Sequence, residues 1–400
     1  MRNVAVVGAG MTHFGKHEKR SMKDLAGEAI RSALGTAEIE AQHIEAAAVG
    51  NAVAGLITGQ ECIRGQVVLR ELGIGGIPVL NTENACASSS TAFHLAWLYV
   101  ASGMYDTVLA VGMEKLFHPD KQRTFRAIAS AIDVDHADKF AEEMSGPQSG
   151  GAGQSRSVFM DYYANLARTH MDRYGTTKKQ FARIAAKNHT NGSLNPHAQY
   201  QTVRSTDDVL SAPVIAEPLT RMMCSPIGDG AAAVVLTTIE KARQVTTTPI
   251  FVRASTLGSS NGQATGAAGI VPTVAQKAYN QSGLGPEDVD VAEVHDATAP
   301  AELIAYEELG LCGEGEGGRL IDEGITMIGG RLPVNPSGGL LAKGHPVGAT
   351  GIAQICEIFW QLRDSAGNRQ VTNAKVGLTE NGGGVINGEN AAAAIHILSK

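Results

Sequence analysis

Four separated segments carry side chains suited to nucleophilic and acid–base chemistry. Cys86 lies in Asn81-Thr-Glu-Asn-Ala-Cys-Ala-Ser-Ser-Ser-Thr-Ala92. A strand at 77–80 is expected to run into this small-residue turn, and a helix through Phe93, Leu95 and Leu98 to follow. A cysteine at a helix N-terminus feels the positive end of the dipole, which favours thiolate, and small neighbours leave its sulfur open. A buried structural cysteine would satisfy the same segment equally well. His345 lies in Asn335-Pro-Ser-Gly-Gly-Leu-Leu-Ala-Lys-Gly-His-Pro-Val-Gly-Ala-Thr-Gly351, seventeen residues with five glycines and two prolines. Such a run cannot form a regular element. It holds an irregular path and locks His345 between Gly344 and Pro346, where its natural task is to take a thiol proton and return it later.

The other two segments lie at strand ends. His295-Asp296 closes a buried run at 289–296, the place where open α/β sheets put their sites; a polar pair satisfied by backbone reads as well. Glu380-Asn-Gly-Gly-Gly384 is expected just past a strand, where successive glycines would let backbone N–H groups approach a ligand oxygen. A glycine turn without function is the competing reading. Other chemistries lack a motif. Gly8-Ala-Gly10 would need a glycine at 13 for dinucleotide binding, and His13 stands there. Neither GxxxxGK[ST] nor HExxH occurs.

The elements that must position these residues repeat. A helix over 25–34, Gly35 and a strand at 44–51 match a helix over 275–282, Gly283 and a strand at 289–296. The run 229–236 (Asp-Gly-Ala-Ala-Ala-Val-Val-Leu) resembles 389–398, and the strand 107–112 resembles 374–378. Three matches in the same order point to a duplicated α/β chain, with halves at 1–250 and 251–400 and helices between and outside layered sheets. The first half carries an insertion at about 116–220. It includes a charged stretch from His118, a Gly/Ser-rich run over 145–157, helices at 162–174 and 178–188, and a turn-rich 191–196. A long insertion in a compact domain is expected to serve as a lid or binding subdomain.

Composition agrees. Of 400 residues 43% are hydrophobic, 18% charged and 5% aromatic, with 47 glycines, as in a compact α/β enzyme with tight turns. A net charge of −7 argues against a nucleic-acid surface. Five scattered cysteines without a CxxC pair argue against a disulfide framework or structural zinc site and fit a reducing cytosol. An N-terminus that enters a strand at once leaves no room for a signal peptide, and no apolar run is long enough for a membrane span. A soluble, cytoplasmic chain is expected.

Together these segments resemble the thiolase family along the whole chain. Residues 335–351 match its Asn-Pro-x-Gly-Gly…Gly-His-Pro-x-Gly-Ala-Thr-Gly signature; the Cys86 turn, Asp229-Gly-Ala-Ala-Ala and the glycine triplet at 382–384 match as well. Val294-His295-Asp296-Ala297 is similar to the sterol-carrier and archaeal-type branch. The resemblance implies the duplicated five-layered αβαβα fold with an inserted loop domain, dimers or tetramers, and coenzyme A bound through the loop domain, with no metal or redox cofactor. It implies that Cys86 carries the acyl group and His345 activates it. His345 and His295 would serve one oxyanion hole, and the N–H groups of Cys86 and Gly382 the other. Three positions depart from the pattern. Glu380 stands where most thiolases carry a second catalytic cysteine, and Ala297 and Thr298 replace the Cys-Phe of the sterol-carrier branch. Glu380 is then the candidate α-proton base, since a closed site can raise a carboxylate pKa. The implied reaction is thiolysis of a 3-oxoacyl-CoA or its reverse. Rivals are a ketoacyl synthase using Cys86, His295 and His345, and a chain that works with a small OB-fold or zinc-ribbon partner, an aldolase included. A non-catalytic acyl-CoA-binding scaffold is a further one.

Overall fold

The computed structural model describes residues 1–144, 156–246, 248–262 and 269–400. Of the Gly/Ser-rich run at 145–157, only Arg156 and Ser157 fall among these. In chain order come β1 (Val4–Met11), α1 (Met22–Ala37), β2 (Ala46–Gly50), β3 (Val79–Thr82), α2 (Ser88–Ala101) and β4 (Thr107–Glu114). The insertion carries α3 (Val158–Tyr174) and α4 (Lys178–Ser193) and leads to β5 (Gly230–Thr238). Then follow β6 (Ile250–Ser259), α5 (Ile270–Ser282), β7 (Val291–Glu293), α6 (Ala299–Glu308), α7 (Thr350–Leu362), β8 (Val376–Ile386) and β9 (Glu389–Ser399).

Among the described residues nine strands form one sheet in the order β3-β2-β4-β5-β1-β6-β9-β8-β7. The seam is short: β1 meets β6 only at Ala5–Phe251 and Val6–Ile250. Read outward from it, the two sides repeat. β1, β5, β4 and β2 on one side answer to β6, β9, β8 and β7 on the other, with the same parallel and antiparallel pairings. Even β3, parallel to β2, has a counterpart in the bridge of Val334 to Ala292. The repetition expected from sequence is thus a repetition of topology.

Layering follows from which face each strand residue presents. Ala5 and Val7 of β1 pack with Leu25, Ala26, Ala29, Ile30 and Ala33 of α1 on the outside. These α1 positions recur at helical spacing, and Ser21 and Asp24 close a capping box at the helix start. Val4 and Val6 face the other way, onto Phe93 and Ala96 of α2 and Ile352, Ile355 and Ile358 of α7, which also cover Val252, Val291 and Leu398 of the second set of strands. Ala254, Ala292, Ile395 and Ile397 face outward onto Val274 and Ala278 of α5 and Leu303 and Tyr306 of α6. Five layers result, with α2 and α7 in the middle. Gly8 and Gly10 serve this packing rather than a nucleotide: a Cβ at Gly8 would stand 2.2 Å from the Ala33 carbonyl oxygen, and one at Gly10 2.3 Å from that of Ala29.

Two expectations need correction. The glycine run 382–384 does not follow a strand but lies inside β8, where Gly382 pairs with Ala393 and Gly383 with Ala392. The turn-rich reading of 191–196 begins too early, since α4 continues to Ser193. Asn191 and Gly192 are tolerated in it because both are used in packing: Asn191 Nδ2 donates to the Asn335 carbonyl at 3.0 Å, and a Cβ at Gly192 would lie 2.6 Å from that of Ala342. Among the described residues no helix is long and apolar enough to cross a membrane.

Candidate active site

The two middle helices bring the chemistry together. A 3₁₀ turn, Ala85–Ala87, leads Cys86 into α2, and its counterpart Val347–Ala349 leads the His345 segment into α7. His345 Nε2 lies 3.3 Å from Cys86 Sγ, and Nδ1 lies 2.7 Å from Thr350 Oγ1. The Thr350 hydroxyl also lies 3.2 Å from the Pro346 carbonyl oxygen; with its hydrogen placed there, it accepts from the ring. That assigns the hydrogen to Nδ1 and leaves the Nε2 lone pair facing the thiol. Burial and the neighbouring His295 and Lys343 hold the His345 pKa well below the usual histidine range.

Cys86 is partly exposed, yet desolvation, with the Glu114 carboxylate second, pushes its thiol up to about 12. The expectation of a thiolate favoured by the helix terminus is therefore corrected. The resting pair is thiol and neutral imidazole.

His295 joins them from just past β7, its ring 5.2 Å from that of His345 in an edge-on arrangement. The Cys86 sulfur and ring nitrogens of both histidines lie within 4.8 Å of one another. Burial lowers His295 to about 4, and its Nε2 is buried without a partner among the described residues. Asp296 turns away and grips the other segment: its carboxylate accepts from Leu340 N at 2.7 Å, Leu341 N at 3.3 Å and Asn188 Nδ2 at 2.8 Å. Asn335 Oδ1 accepts from Val294 N at 2.9 Å, and Glu293 holds Ser337 and Lys343. Residues 293–296 thereby fix His295 and the His345 frame in one piece.

Glu380 lies behind His295. Its carboxylate accepts the His295 N–H at 2.8 Å and that of Gly382, and burial raises it to about 7. It is absent from the cavity wall. Gly382 thus turns its N–H onto Glu380, whereas the amides directed at the Cys86 sulfur are those of Cys86 itself and Gly384. The glycines permit this approach: a Cβ at Gly383 would stand 2.1 Å from the Asn84 carbonyl oxygen.

Sequence reasoning missed Glu114. At the end of β4 its buried carboxylate accepts from Gly348 N at 2.8 Å, Ala52 N at 3.1 Å, Asn51 Nδ2 at 3.0 Å and Val53 N at 3.3 Å. It pins the turn before α7 to the end of β2, and burial raises it to about 7. The one available signal was an acid closing an apolar strand.

Cys86, His295 and His345 open into a cavity of about 780 Å³. Phe125, Ile128, Phe159, Met160 and Tyr163 give it an apolar wall, and Arg156, Arg204 and Arg221 also line it. Much of this wall comes from the insertion.

Comparison with known proteins matches this arrangement to one family. Residues 4–240 fit the thiolase N-terminal domain and residues 253–400 the thiolase C-terminal domain-like family. The chain belongs to the thiolase family. This thiolase is 40% identical to the acetyl-CoA acetyltransferase of Methanothermobacter thermautotrophicus over 100% of both chains. It is 36% identical to human sterol carrier protein 2, covering 96% of this chain and 71% of that one. Among solved structures, the Ltp2-ChsH2(DUF35) aldolase is similar with a TM-score of 0.80 at 27% identity, over 99% of this chain and 97% of that one. Human mitochondrial 3-ketoacyl-CoA thiolase shares the fold, with a TM-score of 0.71 at 17% identity over 100% and 99% of the chains. The family, with two archaeal acetyl-CoA acetyltransferases among the relatives, makes the chain an acyl-CoA acyltransferase.

Proposed function

We propose that the chain cleaves 3-oxoacyl-CoA thioesters, or joins two acyl-CoA molecules in reverse, through an acyl group carried on Cys86. The observation that carries this reading is the 3.3 Å contact of Cys86 Sγ with an Nε2 whose lone pair faces it. As the sulfur attacks the thioester carbonyl, its proton passes to His345 Nε2, and the new oxyanion meets the backbone amides of Cys86 and Gly384. Collapse of the adduct expels the leaving group, which takes that proton, and leaves acyl-Cys86. A second acyl-CoA then loses its α-proton, and its enolate attacks the acyl carbonyl; the Cys86 C–S bond breaks as the product leaves, and the freed thiolate recovers the proton taken from the α-carbon. The unpartnered His295 Nε2 is the group free to hydrogen-bond the enolate oxygen. Glu380 is assigned the α-proton. A pKa near 7 suits it, and reaching substrate requires it to move past His295. These steps need no metal or redox cofactor.

Coenzyme A enters along the insertion. Arg204 and Arg221 line the cavity with no ion-pair partner among the described residues, which suits them to phosphate oxygens. Incubation with acetyl-CoA should add an acetyl group to the Cys86 peptide in mass spectrometry; an unmodified peptide would overturn the assignment. A panel of short, branched and aromatic 3-oxoacyl-CoAs would then place the acyl group.

A second reading gives the chain a small partner. The TM-score of 0.80 to an aldolase whose name pairs it with a DUF35 protein, and the replacement of both familiar second cysteines by Glu380 and Ala297, favour dependence on an OB-fold or zinc-ribbon subunit. Full activity of the isolated chain would remove this reading. A homodimer or tetramer and a cytoplasmic location complete the proposal.

A further inference from the structure

The donor atoms at the head of the cavity can do something besides acyl transfer. Cys86 Sγ and one ring nitrogen each of His295 and His345 lie within 4.8 Å of one another. They come from three separately anchored segments: the turn before α2, the end of β7 and the turn before α7. The Cys86–His345 edge is already 3.3 Å. A tetrahedral Zn²⁺ holds sulfur at about 2.3 Å and nitrogen at about 2.0 Å. Its ligand atoms here are therefore roughly 3.3–3.5 Å apart, so the wider edges need to close by about 1 Å, a modest side-chain rotation. Among the described residues His295 Nε2 is buried with no hydrogen-bond partner, in a residue only 7% exposed, and is the second observation that points to a ligand. The His345 Nε2 lone pair points inward because Nδ1 is committed to Thr350. The cavity leaves the fourth position open to water.

We propose that Cys86, His295 and His345 form a binding site for a thiophilic transition-metal ion of the Zn²⁺ class, and that metal and acyl group exclude one another there. One sulfur and two imidazoles select Zn²⁺, Cd²⁺ or Co²⁺ over Mg²⁺ and Ca²⁺, which require oxygen donors. Glu380, behind His295, has its carboxylate occupied by the His295 and Gly382 amides. On binding, the Cys86 S–H bond breaks, its proton leaves to solvent, the thiolate electron pair forms the metal–sulfur bond, and water departs from the hydrated ion. No electron is transferred. A metal-loaded chain is inactive in acyl transfer because the nucleophile's electron pair and the base's lone pair are both engaged. An acylated Cys86 offers no thiolate and excludes the metal. The ion acts as a reversible brake, released by chelators or displaced by acyl-CoA.

The test uses the full chain, stripped of metal with chelator, and Co²⁺ as a visible probe. One ion per chain should bind with a thiolate-to-cobalt charge-transfer absorption. Alkylation with iodoacetamide that reaches Cys86, verified by mass spectrometry, should abolish that band, whereas alkylation confined to the exposed Cys62 should leave it. His295→Ala should weaken Co²⁺ binding about tenfold or more, with its fold checked by circular dichroism. Absence of the band, survival of the band after alkylation of Cys86, or unchanged affinity in His295→Ala would each overturn the proposal. All these readouts are independent of turnover. A chain that binds Co²⁺ as described but transfers no acyl group would leave this inference standing and remove the proposed function, and the converse result would separate them the other way.

Discussion

Thr350 Oγ1 sits 2.7 Å from His345 Nδ1 and 3.2 Å from the Pro346 carbonyl oxygen. With its hydrogen on that carbonyl the hydroxyl accepts from the ring, and one threonine then decides which imidazole nitrogen is basic. Thr350→Val keeps the shape and the start of α7 but removes the acceptor. Acylation of Cys86 by acetyl-CoA should slow about ten- to a hundredfold, the cost of a lost hydrogen bond and a mixed tautomer, while the KM for acetyl-CoA stays within about twofold. Stopped-time mass spectrometry of the Cys86 peptide measures it, and an unchanged rate would show that the tautomer is fixed elsewhere.

Removing the base itself has a larger effect. His345→Ala should reduce single-turnover acylation about a thousandfold. Cys86→Ala should abolish it while the chain still binds coenzyme A in calorimetry.

The two half-reactions should differ in their response to pH. His345 is held well below the ordinary histidine value, so its basic form is present throughout the neutral range and acylation should be flat between about pH 6 and 8. Glu380 is raised to about 7, and a base works only when ionised, so condensation and full turnover should fall as pH drops through 7. Glu380→Gln should lose turnover with acylation intact. Turnover equal to that of the parent chain would remove Glu380 from the mechanism.

Glu114 makes a less expected prediction. Glu114→Gln puts an amide N–H₂ among donors that now all face a carboxylate, loosening Gly348 and the turn before α7; turnover should drop about tenfold. The same change removes the negative charge that raises the Cys86 thiol. The pH midpoint of iodoacetamide labelling should therefore move down, by on the order of one pH unit, even as catalysis worsens. A purely structural Glu114 would leave that midpoint in place.

The sequence disclosed residues whose chemistry is announced by type and framing. Cys86, His345 and His295 each stand in or beside small or irregular segments that regular packing would not need, and the structure brings all three to one point. The paired topology was legible for a similar reason, since strands buried on both faces leave continuous apolar runs that can be matched across the chain. What stayed hidden depends on contacts between distant segments. Glu114 reads as a polar end to an apolar strand until Asn51, Val53 and Gly348 converge on it. The thiolate expectation failed on magnitude. A helix terminus contributes about 0.3–1 kcal/mol, whereas the rise of the Cys86 thiol from 9.0 to about 12 corresponds to roughly 4 kcal/mol. The register of the glycine run was invisible because only the Cys86 turn, pressed against Gly383, explains why a strand should be made of glycine there.

The seam between β1 and β6 has a consequence of its own. Cys86 belongs to the strands on one side of it and His345 to those on the other, and β1 and β6 are paired at only two residues. Each copy of the repeated unit holds one member of a reacting pair and is inert by itself. The middle layer, where α2 packs on α7, both joins the two units and brings that pair together. Two separately expressed fragments would regain acylation only on reassociating, so Cys86 labelling by acyl-CoA is also an assay for fragment complementation.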